Sequence, residues 1–182
     1  QENNLKNIGI YSIYQDKQGI IYLGTDGGIF TFKNNKIAQL KIKNFHNART
    51  YTITEDNKNR LWAGTKEGIV IVSEDRTTCQ TITSSENVKN DLPNNVVRVI
   101  LQTKDGSMWI GTDGGGFCNI KETKNGFSFK IYQRAENEIN SLNNNSVLSI
   151  YEDKKNFLWI GTFGGGLNRF DPKTETFTHF TE

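Results

Sequence analysis

The sequence predicts an all-β fold, a β-propeller of four-stranded antiparallel blades with four blades present, and three observations carry that reading. A Gly-Thr pair recurs at Gly24-Thr25, Gly64-Thr65, Gly111-Thr112 and Gly161-Thr162, at intervals of 40, 47 and 50 residues. Two places before each glycine stands a large aromatic: Tyr22, Trp62, Trp109 and Trp159. Eleven places before it stands an isoleucine: Ile13, Ile53, Ile100 and Ile150. A unit of roughly 40–50 residues that reads as several short strands is the signature of propeller blades.

Taken in order, residues up to Asn7 form a lead-in and the first blade spans about 8–42. Its strands are Ile8–Tyr14, Ile20–Thr25, Ile29–Phe32 and Ile37–Ile42, each apolar in alternation or bounded by turn residues. Five places before each Gly-Thr glycine sits Gly19, Asn59, Gly106 or Asn156. Gly and Asn tolerate positive φ, so this position is the left-handed residue of a tight hairpin. The second blade, about 50–83, ends in Cys79–Ile82, and Ala63 there replaces the bulky aliphatic after Trp62. A longer loop, Ser84–Pro93, leads to the third blade at about 97–133, whose last strand is Phe127–Tyr132. The fourth, about 147–180, runs through Leu167–Phe170 to Phe177–Phe180. One blade cannot bury both of its faces, so the repeated Ile and aromatic are expected to plug neighbouring blades together, with all three Trp buried there.

Composition narrows the function classes. The 22 basic and 20 acidic residues are interspersed and the net charge is +2, which gives no electrostatic reason to expect nucleic acid or an anionic membrane. No apolar run approaches ~18 residues, so no segment is expected to insert in a bilayer. The opening on Gln1 without Met is read as a processed or truncated start. Cys79 and Cys118 are expected to be buried small apolar residues, a cross-blade disulfide being the alternative. His46 and His179 lie far apart, so neither a metal site nor any cofactor is expected, and His179 is expected to be solvated.

The run Val147-Leu148-Ser149-Ile150-Tyr151-Glu152-Asp153, followed by Leu158-Trp159-Ile160-Gly161-Thr162 and Gly164-Gly165-Gly166-Leu167-Asn168-Arg169-Phe170-Asp171, resembles the two-component regulator propeller repeat. Asn140-Ser141-Leu142 and Thr176-Phe177-Thr178-His179-Phe180 extend the likeness. The resemblance implies a periplasmic (extracytoplasmic) sensor segment of a hybrid two-component histidine kinase, of the kind with which gut Bacteroidetes sense glycan fragments. It implies signal sensing rather than catalysis, with any kinase outside the segment. Members usually close seven-bladed rings, so residues 1–182 are expected to be one propeller segment. Its partners would be further blades or a second copy of the chain, and its ligand an oligosaccharide.

The turns Asp26–Gly28, Asp113–Gly116 and Phe163–Gly166 look like phosphate loops, but strands follow them where a helix N-terminus is needed. Glu55-Asp56 and Glu152-Asp153 offer paired carboxylates for glycoside chemistry, yet they sit at repeat-equivalent turns that serve the fold. No catalytic residue is assigned. Propellers put the loops between second and third strands on the same end as the loops between blades. Asp26, Lys66, Asp113 and Phe163, which vary on a repeated frame, are therefore expected to share a binding face with His46, Arg49, Arg134 and Asn144. Two other readings stay open: a scaffold for protein–protein contact or dimerisation, and a carbohydrate-active lyase or hydrolase.

Overall fold

The computed structural model describes residues 5–85 and 91–180; residues 1–4 of the lead-in and 86–90 of the Ser84–Pro93 loop lie outside them. The described residues form sixteen strands in four antiparallel sheets, each running through its four strands in sequence order. The first sheet is β1 (Ile10–Gln15), β2 (Ile21–Thr25), β3 (Gly28–Lys33) and β4 (Lys36–Gln39). The second is β5 (Thr50–Glu55), β6 (Leu61–Thr65), β7 (Gly68–Val72) and β8 (Cys79–Ile82). The third is β9 (Val97–Gln102), β10 (Met108–Thr112), β11 (Phe117–Thr123) and β12 (Gly126–Tyr132). The fourth is β13 (Val147–Glu152), β14 (Leu158–Thr162), β15 (Leu167–Asp171) and β16 (Thr176–Phe180).

Local chemistry sets these elements. The first hairpin of each blade turns on a left-handed residue, Gly19 at φ 80°, Asn59 at 56°, Gly106 at 86° and Asn156 at 66°. The threonine of each Gly-Thr staples the next turn: Thr25, Thr65, Thr112 and Thr162 donate Oγ1 to the carbonyls of Gly28, Gly68, Gly116 and Gly166, at 2.9–3.1 Å. One repeated feature was not foreseen. A bulge interrupts the first strand of every blade, between Ile10 and Ser12, Thr50 and Thr52, Val97 and Val99, and Val147 and Ser149. Bulges add twist, and here they sit on the strands that meet from blade to blade, β1 with β5, β5 with β9 and β9 with β13.

The core lies between blades rather than within one. Tyr22 and Ile29 of the first blade meet Ile53, Leu61, Ala63, Val70 and Val72 of the second. Trp62, Ile69 and Ile71 then meet Ile100, Met108, Ile110 and Ile120 of the third. Trp109 and Phe117 meet Ile150, Leu158, Ile160 and Phe170 of the fourth. In each blade the isoleucine faces back and the aromatic faces forward.

That rule corrects several sequence expectations. Ile53, Ile100 and Ile150 are 5–8% exposed, but Ile13 is 71% exposed because no described blade lies behind it. Trp62 and Trp109 are buried, whereas Trp159, with no described blade ahead of it, is only half-buried and leans on Phe180 at 5.3 Å. The fourth strand of the first blade ends at Gln39 instead of Ile42, because the chain leaves to pair Lys43 with Thr78 of the second blade. Both cysteines are free; Cys118 is buried but Cys79 only partly. His179 is not simply solvated: its Nδ1 lies 2.9 Å from Asn168 Oδ1, its Nε2 2.8 Å from the Ile139 carbonyl, and its ring stacks on Phe177.

Trp109→Ala should therefore cost about 3–5 kcal/mol, the usual loss for a large buried aromatic, and Trp159→Ala about 1–3 kcal/mol. Urea unfolding of the two variants measures both. Equal losses would mean that the forward face of the fourth blade is as covered as that of the third.

Candidate functional site

Antiparallel order sends the ends of each blade to opposite sides. One side gathers the turns between second and third strands with the loops between blades; the other gathers the two hairpins of each blade. The eight residues singled out from the sequence lie on the first side, in two groups.

In the first group Asp26 is saturated. It accepts from the Gly9 amide at 3.0 Å and Tyr11 Oη at 2.9 Å, and it pairs with Arg49 Nε at 2.6 Å. The Tyr11 hydroxyl, then the Gly9 amide and Arg49, hold its carboxyl below the ordinary range. The Lys66 amide donates to the Arg49 carbonyl at 3.0 Å, while its ammonium pairs with Glu67 at 3.4 Å. His46 is exposed on the loop whose Asn47 would abut a side chain at Gly28.

The second group forms where the third and fourth blades meet. Asp113 binds Arg98 through Nε at 3.1 Å and Nη2 at 2.6 Å and accepts from Ser146 Oγ at 2.9 Å; Arg98 chiefly, and Ser146, lower its pKa. Asn144 Oδ1 accepts the Ser146 amide at 2.8 Å, and the Phe163 amide donates to the Ser146 carbonyl at 2.9 Å. The Arg134 amide is tied to Asn145 Oδ1 at 2.7 Å, and its side chain borders a shallow depression with Glu138 and Asn143. Phe163 stands 71% exposed above these turns.

Sequence reasoning missed the residues that link the groups. Tyr11 packs edge-on to Tyr51 at 5.4 Å, and the Arg98 guanidinium lies 4.4 Å from the centre of the Tyr51 ring. Tyr11, Tyr51, Arg98 and Leu148 all stand two places before the repeated isoleucine. The signal was present, as a repeat position that varies beside one that does not.

On the opposite side the hairpin carboxylates serve the fold. Tyr22 Oη donates to Asp16 Oδ2 at 3.1 Å, Trp62 Nε1 to Asp56 Oδ2 at 2.8 Å and Trp159 Nε1 to Asp153 Oδ2 at 2.9 Å. Asp56 also takes the Lys58 and Arg60 amides and Arg60 Nε, and Glu55 pairs with Arg76 at 2.8 Å. Arginines cross the first two junctions here. Arg76 joins Glu55 and Tyr22 Oη, and Arg60 reaches Glu122 of the third blade at 3.1 Å. Among the described residues no group of three His, Cys, Asp or Glu side chains is placed to hold a metal, and no helix is long and apolar enough to cross a membrane.

Comparison with known proteins follows the same repeat. Residues 4–27, 91–114 and 141–164 match the family described as two component regulator propeller. Three of the four blades thus carry the two-component regulator propeller repeat. No curated protein matches it in sequence. Among solved structures, the chain is similar to the extracellular domain of a B. thetaiotaomicron protein assigned as a hybrid two component system. There the identity is 23% and the TM-score 0.53, over 96% of this chain and 29% of that one. A second such domain from the same organism gives 23% identity and a TM-score of 0.51, over 95% and 27%. Virginiamycin B lyase from Staphylococcus aureus gives 15% identity and a TM-score of 0.69, over 96% and 56%. At these identities the structural likenesses establish the propeller fold, and the repeat-bearing chain spans under a third of the two-component domains.

Burial of Asp56 works to raise its pKa, but Trp62 Nε1, the Arg60 amide and the Arg60 guanidinium outweigh it, and the carboxyl is held below its ordinary 3.8. A depressed carboxyl contributes stability above its unfolded value and loses it as pH falls through the folded one. Asp56→Asn should cost about 2–3 kcal/mol at pH 7, the usual effect of lost hydrogen bonds to a charged acceptor. The deficit should shrink as pH drops below about 4. Urea melts across that range test it; a deficit independent of pH would remove the carboxylate from this role.

Proposed function

We propose that this chain is a ligand-sensing propeller segment of an extracytoplasmic two-component receptor and that its ligand is a glycan fragment. The observation that carries the reading is the match of three separate stretches to the two component regulator propeller family, on a chain whose blades resemble extracellular domains of two-component systems. The ligand face is the side bearing Asp26, Arg49, Asp113, Asn144 and Phe163. Fixed ion pairs there present oriented polar groups, and Phe163 offers an exposed aromatic platform of the kind a sugar ring stacks on. The receptor reading places the segment in the periplasm and leaves phosphotransfer to a kinase elsewhere in the receptor.

Further blades of the same propeller cover the two end faces in this reading. Trp159, Leu167 and Phe180 on the forward face of the fourth blade are repeat-equivalent to Trp109, Phe117 and Tyr132, which the fourth blade covers on the third. Ile13 awaits a neighbour in the same way at the other end. Apolar faces of this kind mark contact surfaces.

Calorimetric titration with a panel of oligosaccharides tests the sensor reading, with Phe163→Ala as the diagnostic variant. Binding to one class of glycan, weakened about tenfold or more by Phe163→Ala, is expected, since stacking on a sugar ring contributes on the order of 1–2 kcal/mol. Glycan binding unchanged by the variant would move the site off this face. Binding of a protein partner with no glycan response would favour the scaffold reading.

A further inference from the structure

On the hairpin side of the blades a cavity of about 710 Å³ opens between the third and fourth blades. That is the size of a small-molecule site. Three residues that close the other junctions are missing here. Where Asp16, Asp56 and Asp153 receive the strand aromatic of their blade, the third blade has Thr103. The Thr103 hydroxyl is turned to Asp105 Oδ1 at 2.6 Å and the Ser107 carbonyl at 3.0 Å. Ser107 itself stands where the second blade has Arg60. Glu175, left-handed at φ 57°, takes the hairpin place of Arg76 at φ 63°, and it pairs with Lys130 on the rim.

The consequence falls on Trp109. An indole N–H can only donate, and among the described residues Trp109 Nε1 has no protein acceptor. It is not sealed in either. Among the described residues the one buried polar side-chain atom that lacks both a partner and solvent is Ser12 Oγ, in the first blade, whereas Trp109 lines the cavity. Beside it the buried Asn119 spends its amide nitrogen on the Met108 carbonyl at 3.1 Å, which leaves Oδ1 without a donor. Tyr132 and Phe157 supply ring surface.

Charge favours an anion, since the lining carries five lysines against four carboxylates. Each carboxylate already has a protein donor: Asp105 has Thr103 and Ser107, Glu152 the Lys104 amide, Asp171 the Lys173 amide, and Glu175 the Lys130 ammonium. Lys121, Lys155 and Lys173 line the same cavity with exposed side chains and make no ion pair among the described residues. We propose that this cavity is a binding site for a small ring-bearing carboxylate. Its anionic oxygen accepts from Trp109 Nε1, its charge is met by the unpaired lysines, and its ring lies against Tyr132 and Phe157. Because the cavity is on the side opposite Phe163, the site does not rest on the sensor reading, and either can fail alone.

The test uses the nitrogen-15-labelled protein, whose three indole N–H signals are assigned with single Trp→Phe variants. Benzoate should move the Trp109 signal saturably and leave those of Trp62 and Trp159 in place. Benzyl alcohol, with the same ring and no charge, should bind about tenfold more weakly or worse, as expected when a charge-assisted hydrogen bond is lost. The double variant T103D/D105Q writes Asp-Lys-Gln-Gly into the hairpin, the sequence that the first blade carries at Asp16–Gly19. It leaves net charge unchanged and supplies the missing acceptor, so it should abolish the benzoate response while keeping the melting temperature. Lys121→Gln with Lys155→Gln, at exposed positions off that hairpin, should weaken binding severalfold and keeps the test open if the double variant unfolds. No saturable shift at Trp109, equal shifts at all three indoles, or undiminished binding by T103D/D105Q or by the lysine variant would overturn the proposal.

Discussion

A four-stranded sheet that carries Ile, Val, Trp and Phe on both faces has no face to give to water, and this molecule repeats such a sheet four times. At about 25 cal/mol per Å² of apolar surface removed from water, stacking the sheets is the dominant favourable term for these blades, whose described residues form no helix. The other regularities answer to it. A tryptophan driven between two blades takes its N–H along, and a buried donor without an acceptor costs about 1–3 kcal/mol. The hairpin aspartate supplies that acceptor at Trp62, and as a carboxylate it also draws in the backbone amides that tighten the turn. The tight turn in turn requires a residue at ease with positive φ, which is why Asn59 and its equivalents are Asn or Gly. Packing, hydrogen bonding and turn chemistry thus form one dependent series, repeated blade by blade.

The same constraint leaves the other side of the blades free to vary. The Gly-Thr staple holds each turn from inside through the threonine hydroxyl, so the residue after it is not needed for the fold. Asp26, Lys66, Asp113 and Phe163 occupy that one position with four different chemistries. The ion pairs that fix Asp26 and Asp113 run to Arg49, on the segment leading into β5, and to Arg98 on β9, so the face is rigid as well as varied. Rigid backbone with variable side chains is the arrangement in which recognition is written.

Much of this is legible in the sequence, and the limit of what is legible has a physical cause. Asn59 and Thr65 do their work within a hairpin, so a fixed spacing exposes them, and a fixed spacing also marks Ile53 and Trp62 as packing positions. Ile13 and Trp159 share those spacings yet are exposed or half-exposed, since burial belongs to the neighbouring blade and not to the residue. The repeated bulge escaped notice because it has no residue signature of its own. His179 was misjudged for another reason: its partners, Asn168 and the Ile139 carbonyl, lie on a neighbouring strand and on a distant loop. Of the candidate face, Asp26, Lys66, Asp113 and Phe163 were legible as variation, and His46, Arg49, Arg134 and Asn144 as loop residues on the same side. Which of them meet was not, because Tyr11, Tyr51 and Arg98 join them from strands that read as structural.

Repetition also makes missing residues visible, and the third junction shows what that is worth. The first two junctions are bridged on the hairpin side by Arg76 and Arg60, each pairing with a carboxylate and lying over the aromatic at 5.6 and 5.7 Å. On that side the third has lysines instead: Lys130 pairs with Glu175, and Lys104 donates its amide to Glu152 at 2.9 Å and its ammonium to the Asp153 carbonyl at 2.8 Å. Phe117 stacks with Tyr132 at 5.0 Å, Tyr132 meets Phe170 at 4.8 Å, and Phe170 meets Phe177 at 4.9 Å, a cluster with no counterpart at the other junctions. Aromatic pairs of this geometry contribute roughly 0.5–1.5 kcal/mol each beyond the area they bury, comparable with or above what a half-exposed ion pair supplies. Cohesion at this junction lies mainly in the depth of the cleft. The lysine bridges stay at its rim, and between rim and core the unpaired donor of Trp109 and the lysines without ion-pair partners stand around open space.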